Sequence, residues 1–171
     1  MRNSLYILSD LTDRDLLWLH EAGALRDLAA GERLIEAGRE VRDLFFVLDG
    51  ELSVILPNGH QVATLGVGDI VGEMAFVEKR LSAASVRAEG MVRLLAIPRD
   101  SILGRFDHDA AFAARFYRAL AVFLSHRLRS ANESVGGDEA AGELDEGILD
   151  TLHVAGDRFL RLVRLLSGEA H

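Results

Sequence analysis

Gly68-Asp69-Ile70-Val71-Gly72-Glu73-Met74-Ala75-Phe76, followed shortly by Ser82-Ala83-Ala84-Ser85-Val86-Arg87-Ala88, is the stretch on which the fold turns. A glycine-rich turn enters Gly72-Glu73 and a run fit for one helical turn; an extended run of small and β-branched residues comes next. Such a turn leaves several backbone N–H groups unpaired, and together with a helix start they make a place for an anion. Glu73 is a poor neighbour for a phosphate unless it binds another group on the same ligand. A sugar hydroxyl fits, because a carboxylate is a strong acceptor for it.

Around this stretch the sequence reads as short strands. Glu32–Ile35 is one, closed by the Ala37-Gly38 turn; Leu44-Phe45-Phe46-Val47-Leu48 is another, and Asp49-Gly50 after it is a hairpin signal. Glu51–Leu56 alternates with period two, Pro57-Asn58-Gly59 turns, and His60–Leu65 runs on to the Gly66-Val67-Gly68-Asp69 turn. Ala83–Ala88 and Met91–Ile97 complete the series. Strands with a turn every ~8–12 residues imply a sandwich or barrel, here a β-roll with a helix inside it.

Helices flank the roll. Thr12 or Asp13 caps a first helix bearing Leu16, Leu17 and Leu19, in which Trp18 is a packing residue. Pro98 stops the last strand and starts a short helix over Arg99–Phe106. Asp107 or Asp109 caps a long helix with two apolar stripes. One is Ala113, Tyr117, Leu120, Leu124 and Leu128; the other is Phe112, Phe116, Ala119 and Phe123. One stripe is expected on the roll and the other on a second copy of the chain, so the long helix is a dimerisation helix. A single broad face on one monomer is the alternative.

Gly136-Gly137 breaks that helix, and an acidic linker is expected over 137–143. An extra C-terminal helix follows within 144–171, with Leu144, Ile148, Leu152, Ala155, Phe159, Leu162 and Leu166 at helical spacing. Its Arg158, Arg161 and Arg164 read as a solvated face. The expected architecture is α+β, with residues 1–136 as one domain including the long helix.

Composition narrows the function. The 171 residues are 49% apolar and 27% charged, a globular balance. A net charge of −8 opposes non-specific nucleic-acid binding. No cysteine is present, so disulfides and thiolate metal sites are excluded. No apolar run of ~18 residues predicts a membrane span, and no signal-peptide pattern opens the chain, so the cytoplasm is expected. The histidines His20, His60, His108, His126, His153 and His171 lack metal-ligand spacing. Ser82 and Ser85 have no histidine nearby and no nucleophile-elbow motif, so no enzyme is expected.

The order of elements, with Phe45–Leu52, Gly66–Asp69, Gly72-Glu73-Met74-Ala75 and Ala84–Ala88, resembles the cyclic-nucleotide-binding domain of the catabolite activator protein superfamily over about residues 5–136. The resemblance implies that N–H groups of Gly72, Glu73, Met74 and Ala75 face a cyclic phosphate and that Glu73 takes the ribose hydroxyl. An arginine near the cassette end pairs with the phosphate in the family. That position, before Ala83, Ala84 and Ser85, is Ser82 here, and the nearest arginine is Arg80. A serine offers one neutral donor where an arginine offers a charged fork.

The segment Arg127–Gly136 is similar to the helix end that approaches the base in the family, so Asn132 either meets a base edge or caps the helix. About 35 residues after Gly136 are too few for a winged helix-turn-helix, so no direct DNA binding is expected. The implied function is a regulatory nucleotide sensor acting through a protein partner. Its ligand is cyclic AMP or cyclic GMP, or next a cyclic dinucleotide such as cyclic di-GMP, whose two phosphates Arg80, Arg87 and Arg129 would meet. A ligand-free interaction domain with a degenerate pocket is the alternative.

Overall fold

The computed structural model describes residues 10–135 and 146–166, with side chains for 10–129 and 156–166. The expected 137–143 linker and the Asn132 side chain lie outside these. Helix α1 (Asp13–Ala22) starts at a capping box. Thr12 Oγ1 accepts the Asp15 N–H at 3.3 Å, and the Asp15 carboxylate accepts the Thr12 N–H at 2.9 Å. The roll then runs β1 (Ala24–Leu28), β2 (Arg33–Ile35), β3 (Asp43–Asp49), β4 (Leu52–Ile55), β5 (Gln61–Leu65), β6 (Ile70–Val71), α2 (Glu73–Glu78), β7 (Ser85–Ala88) and β8 (Val92–Pro98). Helices α3 (Arg99–Phe106), α4 (Ala110–Val135) and α5 (Glu146–Leu166) follow.

Two four-stranded antiparallel sheets face each other, in the orders β1-β8-β3-β6 and β2-β7-β4-β5. Strand β3 explains the arrangement. Its unbroken apolar run is buried on both faces, with Phe45 and Val47 in the core between the sheets and Leu44, Phe46 and Leu48 in the core under the helices. Strand β8 divides the same way, Val92 and Leu94 inward and Leu95 and Ile97 toward the helices. A strand covered on both sides cannot alternate apolar with polar residues.

Two readings of the sequence are corrected here. Asp49-Gly50 does not join a hairpin, because β3 and β4 belong to different sheets. Gly50 instead turns the chain from one sheet to the other at φ 85°, where a Cβ would stand 2.3 Å from the Met91 carbonyl oxygen. Strand β1 was not anticipated. It is a sheet edge whose Ala24, Leu25, Arg26 and Asp27 are all exposed, so no alternation marks it.

Asp109 caps α4, its Oδ1 accepting the Phe112 N–H at 2.8 Å. Phe112, Phe116, Ala119 and Phe123 pack on the outer face of the first sheet. Leu120, expected on the partner-facing stripe, is 1% exposed within its own chain, and Leu124 packs on the same core. The cover includes α5, whose Phe159 and Leu162 are buried in that cluster. Arg161 of the expected solvated ladder is exposed and donates to Asp13 of α1 at 2.5 Å, a surface ion pair.

Asp15 holds the helical layer together. Its carboxylate accepts from Arg105 of α3 at 2.7 Å, from Arg115 of α4 at 2.9 Å and from the Thr12 hydroxyl at 2.8 Å. Burial pushes this carboxyl up, but the Arg115 and Thr12 hydrogen bonds outweigh it and hold the group below its ordinary value. Arg105 also lies over the Phe112 ring, 3.7 Å from its centroid.

The docking of α5 has a direct check. Leu162→Ala removes a fully buried side chain, and urea unfolding should show a loss of about 2–5 kcal/mol with an unchanged slope. A midpoint equal to wild type would place α5 off the core in solution.

Candidate functional site

The site is built where β6 hands over to α2. Strand β6 pairs with β3 through Phe45 with Val71 and Phe46 with Ile70, which brings Gly72 against the start of β3. Gly72 adopts φ 93°, and a Cβ there would lie 2.6 Å from the Asp43 carbonyl oxygen. Only glycine permits both the left-handed turn and this approach. The turn delivers Glu73, the first residue of α2, into the interior, where it is 3% exposed.

Glu73 borders a cavity of about 230 Å³ between α2, the β7 entrance and the inner face of the roll. Ile35, Val54, Leu65 and Val86 provide apolar walls. Arg127 of α4 also lines the cavity and donates to Glu73 Oε1. Burial pushes the Glu73 carboxyl above its ordinary value; the Arg127 charge opposes this without cancelling it.

Of the candidates named from the sequence, Gly72, Glu73, Met74 and Ala75 line the cavity from α2, and Arg80, Ser82, Ala83 and Ala84 from the segment after it. The Arg80 head is mostly in solvent, 3.3 Å from Glu78. The Ser82 hydroxyl donates to the Ala84 carbonyl at 2.7 Å, so its one proton is already committed. Ser85 and Arg87 are not among the lining residues. Ser85 Oγ accepts the Ala37 N–H at 3.0 Å, and Arg87 lies on the face of β7 opposite Val86, 3.3 Å from Glu89. Arg129 is exposed on α4 beside His126, at 3.4 Å, and does not line the cavity either.

Arg127 was missed as a site residue. A signal was available: Phe112, Phe116, Ala119 and Phe123 step along the buried stripe of α4, and the next step of four is Arg127. A cation that continues an apolar stripe needs a buried partner, and that partner is Glu73. Among the described residues no group of His, Asp and Glu is placed to hold a metal ion, and no helix is long and apolar enough to cross a membrane.

Comparison with known proteins agrees with this geometry. The model of the cyclic nucleotide-binding domain family matches residues 25–109. Glutaminase 2 of Bradyrhizobium diazoefficiens is 35% identical over 129 residues, 75% of this chain but only 20% of that protein, so the chain spans about a fifth of its relative's length. A cyclic nucleotide-binding domain from Methylobacillus flagellatus superposes with a TM-score of 0.70 at 20% identity, covering 84% of this chain and 85% of that one. A protein of a cyclic-GMP-dependent signalling pathway that regulates bacterial phytopathogenesis superposes with a TM-score of 0.58 at 26% identity, over 68% of this chain and 95% of that one. The superpositions show the same fold, and the family-model match places residues 25–109 of this chain in the cyclic nucleotide-binding domain family.

Proposed function

We propose that the chain is a regulatory sensor whose cavity takes a cyclic mononucleotide, cyclic AMP or cyclic GMP, and whose helix α4 passes the binding event to a protein partner. The observation that carries this reading is Glu73, a buried carboxylate facing a mostly apolar cavity of about 230 Å³. That volume lies just below the ~300–1,000 Å³ usual for small-molecule sites, which favours a mononucleotide over a dinucleotide held in this cavity alone. The cyclic-GMP pathway of one structural relative points to the same ligand class.

The mechanism follows from competition at Glu73. A ribose hydroxyl donating to Glu73 meets a carboxylate already held by Arg127, so binding weakens or rearranges that pair. Arg127 belongs to α4, so occupancy of the cavity alters the restraint on the end of α4 and on whatever rests there. A domain that binds no nucleotide and serves only protein contacts is favoured by Ser82, where the resemblance expects an arginine, because its hydroxyl proton is committed to the Ala84 carbonyl. A thermal-shift screen with cyclic AMP, cyclic GMP and cyclic di-GMP on wild type and Arg127→Ala decides between them, since a ligand of the folded state raises its stability. No shift in either protein selects the interaction domain.

If the ligand is held as in the family, its phosphate lacks one charged donor. A hydrogen bond to a charged group contributes roughly 1.5–3 kcal/mol, or roughly 10- to 150-fold in affinity. Calorimetry should show Ser82→Arg tightening a cyclic mononucleotide by that factor and Glu73→Ala abolishing binding. Arg80→Ala weakens binding only where Arg80 stands in for the missing fork. A Glu73→Ala protein that binds as well as wild type overturns the proposed pose.

The raised Glu73 carboxyl also sets a pH dependence. A group whose folded-state value lies above its unfolded value favours folding in acid, and that contribution is lost as pH rises through the folded value. Glu73→Gln, which never ionises, should therefore be more stable than wild type at pH 7, the gap closing as pH falls into the carboxylate range. Denaturant midpoints across pH read it out. A wild type more stable than the variant at pH 7 would mean that Arg127 outweighs burial.

The exposed side of α4 is the proposed self-association surface, because Tyr117 and Leu128 are 47% and 64% exposed on it. Leu128→Glu should lower the mass seen by sedimentation from twice the chain to once, with the thermal midpoint unchanged. A wild type that sediments as a monomer at micromolar concentration removes the dimer.

A further inference from the structure

Beyond the end of α2 a second cavity, of about 440 Å³, opens between Lys79, Arg80 and Leu81, the loop at Glu40 and Val41, and the start of α3 at Arg99 and Asp100. It adjoins the first, with Val41, Ala75, Arg80 and Leu81 bordering both. Its chemistry is different. Three cations, Lys79, Arg80 and Arg99, face two carboxylates, and one of these, Glu40, is already engaged by Arg42 outside the cavity at 3.3 Å.

Two of the cations are under-used. Arg99 Nε is buried with no hydrogen-bond partner, and its Nη2 makes only a long contact with the Phe76 carbonyl oxygen, at 3.5 Å. A buried guanidinium N–H left unmatched is costly, so this side chain gains from an acceptor brought to the part of it that lines the cavity. No ion pair involves Lys79 among the described residues, although its backbone sits at φ 49° as the cap of α2 and fixes its place at the cavity edge.

We infer that this outer cavity is an anion site for a phosphate group, held by Arg99, Lys79 and Arg80. Arg80 borders both cavities, so the site is coupled to the inner one. Two sources share this chemistry. The phosphate is either a free inorganic ion bound beside the nucleotide or the second phosphate of a ligand that spans Leu81. The anion site stands on its own cations; the spanning ligand rests on the nucleotide reading proposed above.

The test uses the full chain at fixed ionic strength, with backbone amide shifts followed by NMR. Inorganic phosphate and pyrophosphate should shift the amides of Lys79, Arg80 and Arg99 saturably. Arg99→Gln and, separately, Lys79→Gln should each weaken the binding at least about tenfold, while Arg33→Gln on the outer surface leaves it unchanged. Lys79→Gln guards against an Arg99 variant that fails to fold. No saturable shift, or equal binding by both variants and wild type, overturns the site. Cyclic di-GMP and cyclic AMP then separate the sources. Dinucleotide binding that needs both Glu73 and Arg99 identifies the spanning ligand, and cyclic AMP that binds together with phosphate identifies the free ion. Phosphate binding with no nucleotide bound by any variant leaves the anion site standing and withdraws the nucleotide reading.

Discussion

Two buried carboxylates, each met by an arginine from the same helix, hold this structure in register. Arg115 near the start of α4 pairs with Asp15, and Arg127 toward its end pairs with Glu73. The two arginines are twelve positions apart, about 18 Å along a helix. Helix α4 is therefore pinned at one end to the first helix and at the other to the cavity. The pins are unequal. Asp15 has two arginines, a hydroxyl and a backbone N–H, and its carboxyl stays ionised more readily than usual. Glu73 is buried with one arginine, and burial prevails. An under-matched buried charge gains most from a new hydrogen-bond donor, so the Glu73 end is the weaker of the two pins.

The β-roll supplies the rigid frame for that asymmetry. Strands β3 and β8 are buried on both faces, one toward the opposite sheet and one toward the helices. A helix that shifted away from this surface would uncover Leu44, Phe46, Leu95 and Ile97 together, an expensive exposure of apolar area. Beyond Leu124 the hold on α4 is weaker, since Leu128 and Arg129 are exposed and Arg127 ties the helix to the roll through Glu73.

The sequence made the roll and its cassette legible because their signals are local. Glycines at Gly50, Gly59, Gly68 and Gly72 mark turns that the structure closes with positive φ. What it hid was long-range. Asp49-Gly50 has the same local chemistry whether its strands pair or separate, so the hairpin reading failed on sheet membership. Edge strand β1 has no apolar alternation to read. At the site, residues adjacent in sequence came together, Gly72 to Ala75 and Ser82 to Ala84, while Arg87 fell on the wrong face because a strand turns alternate side chains apart. The Glu73 partner, 54 positions away, left only the trace of a cation continuing a phenylalanine stripe.

The same reasoning limits what Ser82 means. At the family's arginine position, a guanidinium would enter the small cavity close to Arg127, placing two cations around one carboxylate. With serine there, Glu73 is the charge that Arg127 answers, and the pair closes on itself. The remaining positive charge lies outward, on Lys79, Arg80 and Arg99 around Leu81. On the proposed reading, a serine in place of that guanidinium and three cations lining the outer cavity favour a phosphate near the end of α2.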